Sequence, residues 1–449
     1  MLRTFEKHIH CNFPFLSNKK LLIATSGGID SVALTHLLHL LQFKISLAHC
    51  NFRLRGIDSD TDEIFIKTEA EQLKINCFTT SFNTEAFAKK NGISIQMAAR
   101  ELRYNWFEEI RKNNHFDYIL TAHHADDNLE TFLINLSRGT GLDGLTGIPA
   151  VNNSIVRPLL PFSRKEIITF VKNNNLLWRE DKSNTETKYL RNKLRHDIIP
   201  LLKELNPNFI TSFTKTIENL QGSKQVVTDK IAEVEAQVIH KKEDVLELDI
   251  QKIKALKNPK IYLFEILKTY GFSEWEDVYN LLEAQTGKNV FSSTHRLIKN
   301  RNFLLLSRVN SSTNRYDIVT IAKNVKGVNI LNKETSQVDL KLKIEQVLPS
   351  KIEQYKTNKN RIHIDEEALK YPLYVRKWEK GDYFYPIGME GKKKLSKYFK
   401  DEKLSLLDKE SIWLLCSENK IVWIIGKRLD NRFKIDKNTT KILKIEIVE

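Results

Sequence analysis

The stretch that decides the fold is LLIATSGGIDSVAL, residues 21–34. A run of apolar residues ends in Ser26-Gly27-Gly28, and a helix-like pattern begins at once after Ile29, Asp30 and Ser31. Two glycines after a strand let backbone N–H groups approach an anion without a Cβ in the way. The next helix adds unpaired amides and a partial positive charge at its N-terminus. The hydroxyls of Ser26 and Ser31 add donors. Asp30 is out of place in a purely anion-binding loop, but fits one that also holds a Mg²⁺ carried by phosphates. The loop has no Lys and no GxxxxGK[ST] pattern, which excludes a Walker A site. The alternative is a tight Gly-Gly turn with Asp30 as a helix cap.

The surroundings favour the phosphate reading. Up to about residue 174, strand-like and helix-like runs alternate. LLIAT precedes a helix near 30–42, KISLAHC (44–50) one near 60–74, and CFTTSF (77–82) one near 95–113. YILTAH (118–123) precedes a helix near 126–137, and SIVRPLL (154–160) one near 163–174. This alternation predicts an α/β domain, a parallel sheet with helices on both faces. Ligands of such sheets bind at the carboxyl ends of the strands. Ser26–Ser31, His49–Asn51 and His123–Asp127 all fall there.

From about 211 to 285 the pattern reads as largely helical, and after 361 short strands dominate: RIHID, YPLYVRKW, SIWLLC, KIVWIIG and KILKIEIV. A Ser/Asn/Thr-rich stretch at 307–316 and a Lys-rich one at 351–361 read as linkers. The expected domains are 1–210 for nucleotide binding and catalysis, 211–350 mainly helical, and 351–449 small and β-rich. At 449 residues, two to three domains are in proportion.

Charge is unevenly spread. Residues 1–150 carry 16 Lys and Arg against 17 Asp and Glu; the other 299 carry 55 against 39. The net charge of +15 therefore lies outside the glycine-rich segment and points to a polyanionic partner, nucleic acid first. No apolar run reaches the roughly 18 residues a membrane helix needs, and MLRTFEKHIHCNFPF lacks the apolar core of a secretory signal. The expectation is a cytoplasmic protein. Cys11, Cys50, Cys77 and Cys416 form no CxxC pair, which argues against a zinc ribbon or redox dithiol.

SGGxDS after the first strand resembles the PP-loop ATP pyrophosphatases, whose loop grips the pyrophosphate of ATP while AMP passes to a carbonyl oxygen. AHCNFRLRGIDSDTDEIF (48–65), QMAARELRYNWF (96–107), TAHHADDNLETFLINLSRGTGLDGLTGI (121–148) and WREDKSNTETKYLRNKLRHDIIPLL (178–202) resemble, in order, the tRNA(Ile)-lysidine synthetase family. VRKWEKGDYFYPIGMEGKKKLSKYFKDEKLS (375–405) resembles that family's C-terminal tRNA-binding domain. The resemblance implies ATP-dependent joining of free L-lysine to C2 of the wobble cytidine of an isoleucine tRNA with a CAU anticodon. The base is first adenylated at O2 with release of pyrophosphate; the lysine ε-amine then attacks C2 and AMP leaves. Codon reading changes from AUG to AUA. ATP and Mg²⁺ are the implied cofactors.

In that light the candidate ATP site is Ser26, Gly27, Gly28, Ile29, Asp30 and Ser31, with His49 and Asn51 for adenine or ribose. Arg100 and Arg103, three apart on one helix, suit a fork that neutralises phosphate charge during adenylyl transfer; Arg100 is assigned to ATP and Arg103 to catalysis. Asp127 and Glu130 share a helix face, with Asp126 beside them, and suit Mg²⁺ or a substrate ammonium. An acidic first turn that complements the helix dipole is the alternative. The attacking amine must be neutral, so His123, His124, Asp127 or Glu130 is a candidate proton acceptor. The catalytic set is Asp30, Arg103, His123, Asp127 and Glu130, with Asp30 the metal ligand. Arg191, Lys193, Arg195 and His196 are expected to follow tRNA phosphates, as are Lys392, Lys393, Lys394 and Lys397, which are interleaved with Tyr398 and Phe399. Trp378, Trp413 and Trp423 read as core. Gly139 ends a helix as its cap. Two other functions remain open: a PP-loop tRNA thiolase, which generally needs paired cysteines or an iron–sulfur cluster, and a catalytically silent RNA-binding protein. The oligomeric state is open, a homodimer included.

Overall fold

A computed structural model describes residues 1–54, 56–179, 190–242, 244–309, 318–331, 338–348 and 357–448. The chain divides into two compact units, Met1–Asp229 and Lys230–Glu449.

In the first unit, α1 (Leu2–Asn12) precedes β1 (Lys20–Ala24), α2 (Ile29–Leu40), β2 (Lys44–Asn51), α3 (Ile57–Leu73) and β3 (Cys77–Ser81). Then come α4 (Thr84–Asn91), α5 (Ile95–Asn113), β4 (Tyr118–Leu120), α6 (Ala125–Ser137), α7 (Leu142–Leu145), β5 (Val151–Asn152), β6 (Ile155–Val156) and α8 (Arg164–Asn173). The strands form one sheet in the order β3-β2-β1-β4-β6-β5, parallel except for the β5–β6 hairpin. The order reverses at β1, so β1 and β4 lie side by side and their carboxyl ends open the crevice where such folds bind ligands.

The strand alternation explains the layers. Leu21 and Ile23, fully buried, point into a core with Phe5 and Ile9 of α1, Leu34 and Leu37 of α2, and Ile167 and Val171 of α8. Leu22, Ala48 and Ile119 point to the opposite face, against Phe107 of α5 and Phe116. The predicted strand 154–160 is only Ile155–Val156; Pro158 has no N–H to offer a ladder. Downstream, α9 (Leu190–Lys193), a five-residue turn (Leu194–Ile198) and α10 (Ile199–Leu205) lead to the 30-residue α11 (Phe209–Val238). Ile199, Phe213 and Ile217 pack on Leu129 of α6, which holds this helical arm against the carboxyl end of the sheet.

The second unit holds more strand than the helical reading of 211–285 anticipates. β7 (Ile239–Lys242) and β8 (Val245–Asp249) follow α11 directly; α12 (Ile250–Lys254), α13 (Pro259–Leu267) and α14 (Trp275–Asn280) come next. β9 (Asn289–Phe291), β10 (His295–Asn300) and β11 (Phe303–Arg308) complete a five-stranded antiparallel sheet ordered β7-β8-β11-β10-β9. Strands of four or five residues leave too little alternation to show against flanking helices. The linker readings fall largely on 310–317 and 349–356, outside the described residues; Ser307 and Arg308 lie in β11.

Beyond, β12 (Val319–Ile321), β13 (Gly327–Leu331), β14 (Val338–Val347), β15 (Arg361–Asp365), β16 (Leu373–Lys377), β17 (Tyr383–Phe384), β18 (Lys393–Lys394), α15 (Leu395–Asp401), α16 (Leu406–Ser411), β19 (Trp413–Ser417), β20 (Lys420–Ile424) and β21 (Ile442–Ile447) build the β-rich end. Sheets β12-β16-β19-β20 and β13-β14-β21-β15 share one core that includes Val375, Trp423, Ile362 and Ile445. Trp413 and Trp423 are core, as read; Trp378 packs beside Phe399 and donates its indole N–H to the Lys409 carbonyl at 2.8 Å. No described helix is long and apolar enough to cross a membrane.

Leu37 is fully buried between α2 and the sheet. Leu37→Ala should cost roughly 2–5 kcal/mol in urea unfolding, because the rigid β1–α2 layer cannot collapse into the hole.

Candidate active site

The loop after β1 is shaped by its own hydroxyls. Gly27 adopts φ +76°, a conformation that disfavours side chains, and a Cβ there would meet Phe65 at 3.3 Å. The Gly27 amide donates to Thr25 Oγ1 and the Gly28 amide to Ser26 Oγ, both at 3.3 Å. Ser31 Oγ donates to the Gly28 carbonyl at 2.9 Å. Gly28 caps α2, so Ile29 and Asp30 stand in the first turn, whose amides have no carbonyl to pair with. Loop and helix start thus form an anion cradle with one carboxylate at its lip.

The neighbouring strand delivers the acids. His124 caps α6 reciprocally: its amide donates to Asp127 Oδ2 at 3.1 Å and its Nδ1 accepts from the Asp127 amide at 3.4 Å. His124 Nε2 lies 3.6 Å from Asp30 Oδ1 and 3.5 Å from Asp127 Oδ2, so one imidazole links the glycine loop to the acidic helix. Burial works against a charge on His124, but the carboxylates of Asp30, Asp127 and Asp126 outweigh it and raise its pKa. His123 behaves oppositely. Burial drives it down to about 4, although Asp127 pulls upward, and its Nδ1 sits 2.9 Å from Thr121 Oγ1. It is a neutral ring at neutral pH.

Glu130 is 1% exposed, and both of its oxygens are taken. Arg191 Nε donates to one and Arg195 Nε to the other, each at 2.6 Å. The same two guanidiniums reach Asp127 Oδ1 at 3.2 and 3.3 Å. Asp126 accepts from Lys203 Nζ at 2.6 Å and from the Arg164 amide at 2.8 Å. Burial raises the Asp126 and Asp127 pKa values, but Lys203 in the first case and His124 with Arg191 in the second bring both below the usual range. The acidic turn does complement the helix dipole, yet three cations from other segments, Arg191, Arg195 and Lys203, converge on it. His124, Asp126, Glu130, Arg164, Arg195, His196, Ile199 and Lys203 line a cavity of about 290 Å³.

Asp30, Asp127 and Glu130 thus come together as the sequence suggests. Arg191 and Arg195, read as phosphate contacts, are instead turned onto the carboxylates, because Glu130 is buried and needs them. Lys193 is exposed. Arg100 and Arg103 are not in the acid cluster; each lies over an aromatic ring, Tyr104 at 5.0 Å and Phe52 at 5.1 Å. His49 Nδ1 donates to the Thr25 carbonyl at 3.1 Å, while its buried Nε2 has no partner among the described residues. The Asn51 amide donates to Asp60 and Glu63 at 2.9 and 3.2 Å. Gly139, at φ +73°, follows the end of α6. Of the stretch 178–202, residues 180–189 lie outside the described residues. Sequence reasoning missed Arg164, Lys203 and the linking role of His124. The signal for Lys203 was present: Arg191, Arg195, Ile199 and Lys203 recur every fourth residue.

Lys392, Lys393, Lys394 and Lys397 all lie in the second unit. Lys392 sits over the Tyr383 ring at 5.2 Å, and Lys393 pairs with Asp401 at 2.8 Å. Lys394 and Lys397 are exposed. Burial pushes the Cys50 thiol up to about 12 and Cys77 up to about 11. They lie on adjacent strands but out of register, Cys77 opposite Leu47 and Cys50 opposite Thr80. Neither is an activated thiol and they are not a pair.

Asp30 fits a magnesium ion. Its buried Oδ1 makes no hydrogen bond among the described residues, the His124 ring standing 3.6 Å away, and Mg²⁺ is commonly held by one or two carboxylates together with substrate phosphates. Among the described residues no cluster of three metal-ligating side chains exists, so the phosphates would have to complete the shell.

His123 gives stability a pH signature. Its folded pKa of about 4 lies below the ordinary 6.5, so the unfolded chain binds the extra proton between those values. Stability should fall as pH drops from 6.5 to 4, by on the order of 3 kcal/mol from this group. His124, with its raised pKa, contributes stability that is complete below 6.5 and lost as pH rises through its folded value. Urea midpoints of His123→Asn between pH 4 and 6.5 should be flatter than those of the parent.

A family profile described as PP-loop domain matches residues 1–202, one described as TilS substrate binding domain matches 241–309, and one described as TilS substrate C-terminal domain matches 373–447. The chain is 37% identical over 445 residues to a tRNA(Ile)-lysidine synthase of Parabacteroides distasonis, covering 99% of both chains. It is 38% identical to that of Bacteroides thetaiotaomicron, covering 98% of both. It is 32% identical to that of Caldanaerobacter subterraneus, covering 99% of this chain and 96% of the relative. With a PP-loop at the strand ends, an acid cluster beside it and relatives that align from end to end, the chain belongs to the tRNA(Ile)-lysidine synthase family.

Proposed function

We propose that this chain uses ATP to activate the wobble cytidine of an isoleucine tRNA and joins free lysine to it, making lysidine, AMP and pyrophosphate. The observation that carries the reading is the quartet of Asp127, Glu130, Arg191 and Arg195 beside the PP-loop. Two carboxylates and two guanidiniums in one cluster complement a molecule that bears both an ammonium and a carboxylate, as a free amino acid does. Lysine's positive end would displace the guanidiniums from Glu130 and Asp127, and its carboxylate would take the guanidiniums released. Each charge is thereby exchanged for a like one, and nothing buried is left unpaired.

The cradle Ser26–Ser31 would grip the ATP phosphates, and Asp30 would hold the Mg²⁺ that travels with them. Bound there, the ion would screen charge on the phosphates. His49 Nε2, buried and unbonded among the described residues, would meet adenine or ribose with Asn51 beside it, and Arg100 and Arg103 would supply positive charge to the phosphates. The cytidine O2 attacks the α-phosphorus and pyrophosphate leaves. The lysine ε-amine then attacks C2, AMP leaves with the O2 oxygen, and the amine sheds a proton. A ring with a pKa of about 4 is poorly matched to an amine. His123 is therefore assigned a hydrogen-bonding role; Asp127, held below the usual carboxylate range by His124 and Arg191, is no better matched, and the proton leaves to solvent. The work divides as catalysis in 1–210 and tRNA binding in 351–449, with the intervening 211–350, which includes the segment matched by the substrate-binding profile, either touching the RNA or spacing the two ends, in a cytoplasmic enzyme. The thiolase alternative lacks an activated pair of cysteines, and a silent RNA-binding protein would have no use for a buried Glu130 beside an intact loop.

The test is to incubate the protein with ATP, lysine and isoleucine tRNA and to examine the anticodon nucleosides by mass spectrometry. Lysidine should form with stoichiometric AMP, and Asp30→Asn should slow it roughly 10²–10³-fold. A sulfur-bearing nucleoside, or lysidine formed at the parent rate by Asp30→Asn, would refute the reading. The triple variant Lys392→Ala, Lys394→Ala, Lys397→Ala should weaken tRNA binding. The slope of log K against log salt should shrink by about one for each phosphate no longer neutralised, with KM for ATP unchanged.

A further inference from the structure

The helix that carries Arg191 and Arg195 is not a regular α-helix. Its backbone is helical from Leu190 to Leu205, but Leu194–Ile198 is a π-turn, and the Ile199 amide donates to the Leu194 carbonyl five residues back. Pro200 gives the cause. In α-register its nitrogen would donate to the His196 carbonyl; proline has no N–H, and its ring would strike that carbonyl. Widening the turn before it by one residue removes the clash.

The extra residue has a geometric consequence. At 3.6 residues per turn, each step of four residues overshoots a full turn by about 40°, so Lys203 would lie about 120° round the helix from Arg191. One inserted residue takes back about 100°. Arg191 and Lys203 then lie only about 20° apart, and Arg195 and Ile199 fall on the same side of the helix. Their contacts are those of one row facing α6. Arg191 and Arg195 reach Asp127 and Glu130, Ile199 packs on Leu129, and Lys203 reaches Asp126.

We propose that Pro200 is a positioning residue of the amino-acid site: it imposes the π-turn that sets Arg191, Arg195 and Lys203 in one row against Asp126, Asp127 and Glu130. Pro200 itself is exposed. Downstream the helix is anchored by Ile199, 4% exposed, and by Phe213 and Ile217 of α11. Relaxation to α-register therefore turns the upstream part and carries Arg191 off Glu130. The geometric claim stands on the helix alone; its link to lysine rests on the function proposed above.

Two measurements on Pro200→Ala, with Pro200→Ser as a second replacement, separate these parts. The first is a double-mutant cycle with Arg191→Met, read by urea unfolding. Arg191→Met should destabilise the parent but change the Pro200→Ala background far less, because the ion pair with Glu130 is already broken there. Additive effects would overturn the positioning claim. The second is steady-state kinetics on the full-length enzyme with tRNA: KM for lysine should rise roughly tenfold or more while KM for ATP stays at the parent value. A non-additive cycle with an unmoved lysine KM would uphold the role of the π-turn and overturn its link to lysine.

Discussion

A carboxylate with 1% of its surface exposed needs hydrogen-bonding cations on its oxygens, and Glu130 is such a group. Much of the first unit's architecture follows from that constraint. Glu130 lies on α6, which β4 delivers to the carboxyl end of the sheet, and no cation within α6 reaches it. The chain returns some 60 residues later with Arg191 and Arg195, one guanidinium to each oxygen. Their helix must then run along α6, and Ile199, Phe213 and Ile217 seal it there around Leu129. A pair this buried adds little net stability against an apolar substitute. In the function proposed above its value lies in chemistry: charges of both signs stand beside the PP-loop, where a substrate with both signs would replace them.

The loop and the acid cluster are one site because β1 and β4 are neighbours at the point where strand order reverses. His124 makes the connection physical. Its ring lies within 3.6 Å of both Asp30 and Asp127, and those charges raise its pKa against the pull of burial. His123, one residue earlier, has the same ring but fewer acids, and burial wins. Adjacent histidines are thus shifted in opposite directions for a reason visible in their surroundings. A change at either end of the His124 bridge, in the loop or in the acids, must be felt at the other.

The sequence made the scaffold legible where local physics dominates. Strand, glycine turn and helix at 21–40 are dictated by period and by the conformational needs of Gly27, and the parallel sheet follows from the alternation. Asp127 and Glu130 were readable as a pair because helical spacing is local. What the residue string does not carry is who meets whom across 60 residues. Arg191 and Arg195 read as cations seeking phosphate because their carboxylate partners are distant in the chain, and burial of Glu130 is a tertiary fact. Lys203 and Arg164 were hidden for the same reason. The sheet of β7 to β11 was missed because four- and five-residue strands leave little periodicity, and β7 and β8 directly follow a 30-residue helix.

The central claim is that Glu130 and its arginines form the lysine site. Equilibrium dialysis of lysine onto the ATP-loaded protein tests it most directly, with Glu130→Gln as the comparison. The account predicts measurable binding to the parent and at least a tenfold loss, about 1.4 kcal/mol, in the variant. It also predicts little binding of norleucine, which matches lysine's length but lacks the ε-amine. Equal lysine affinity for parent and Glu130→Gln, or equal binding of norleucine and lysine, would contradict it.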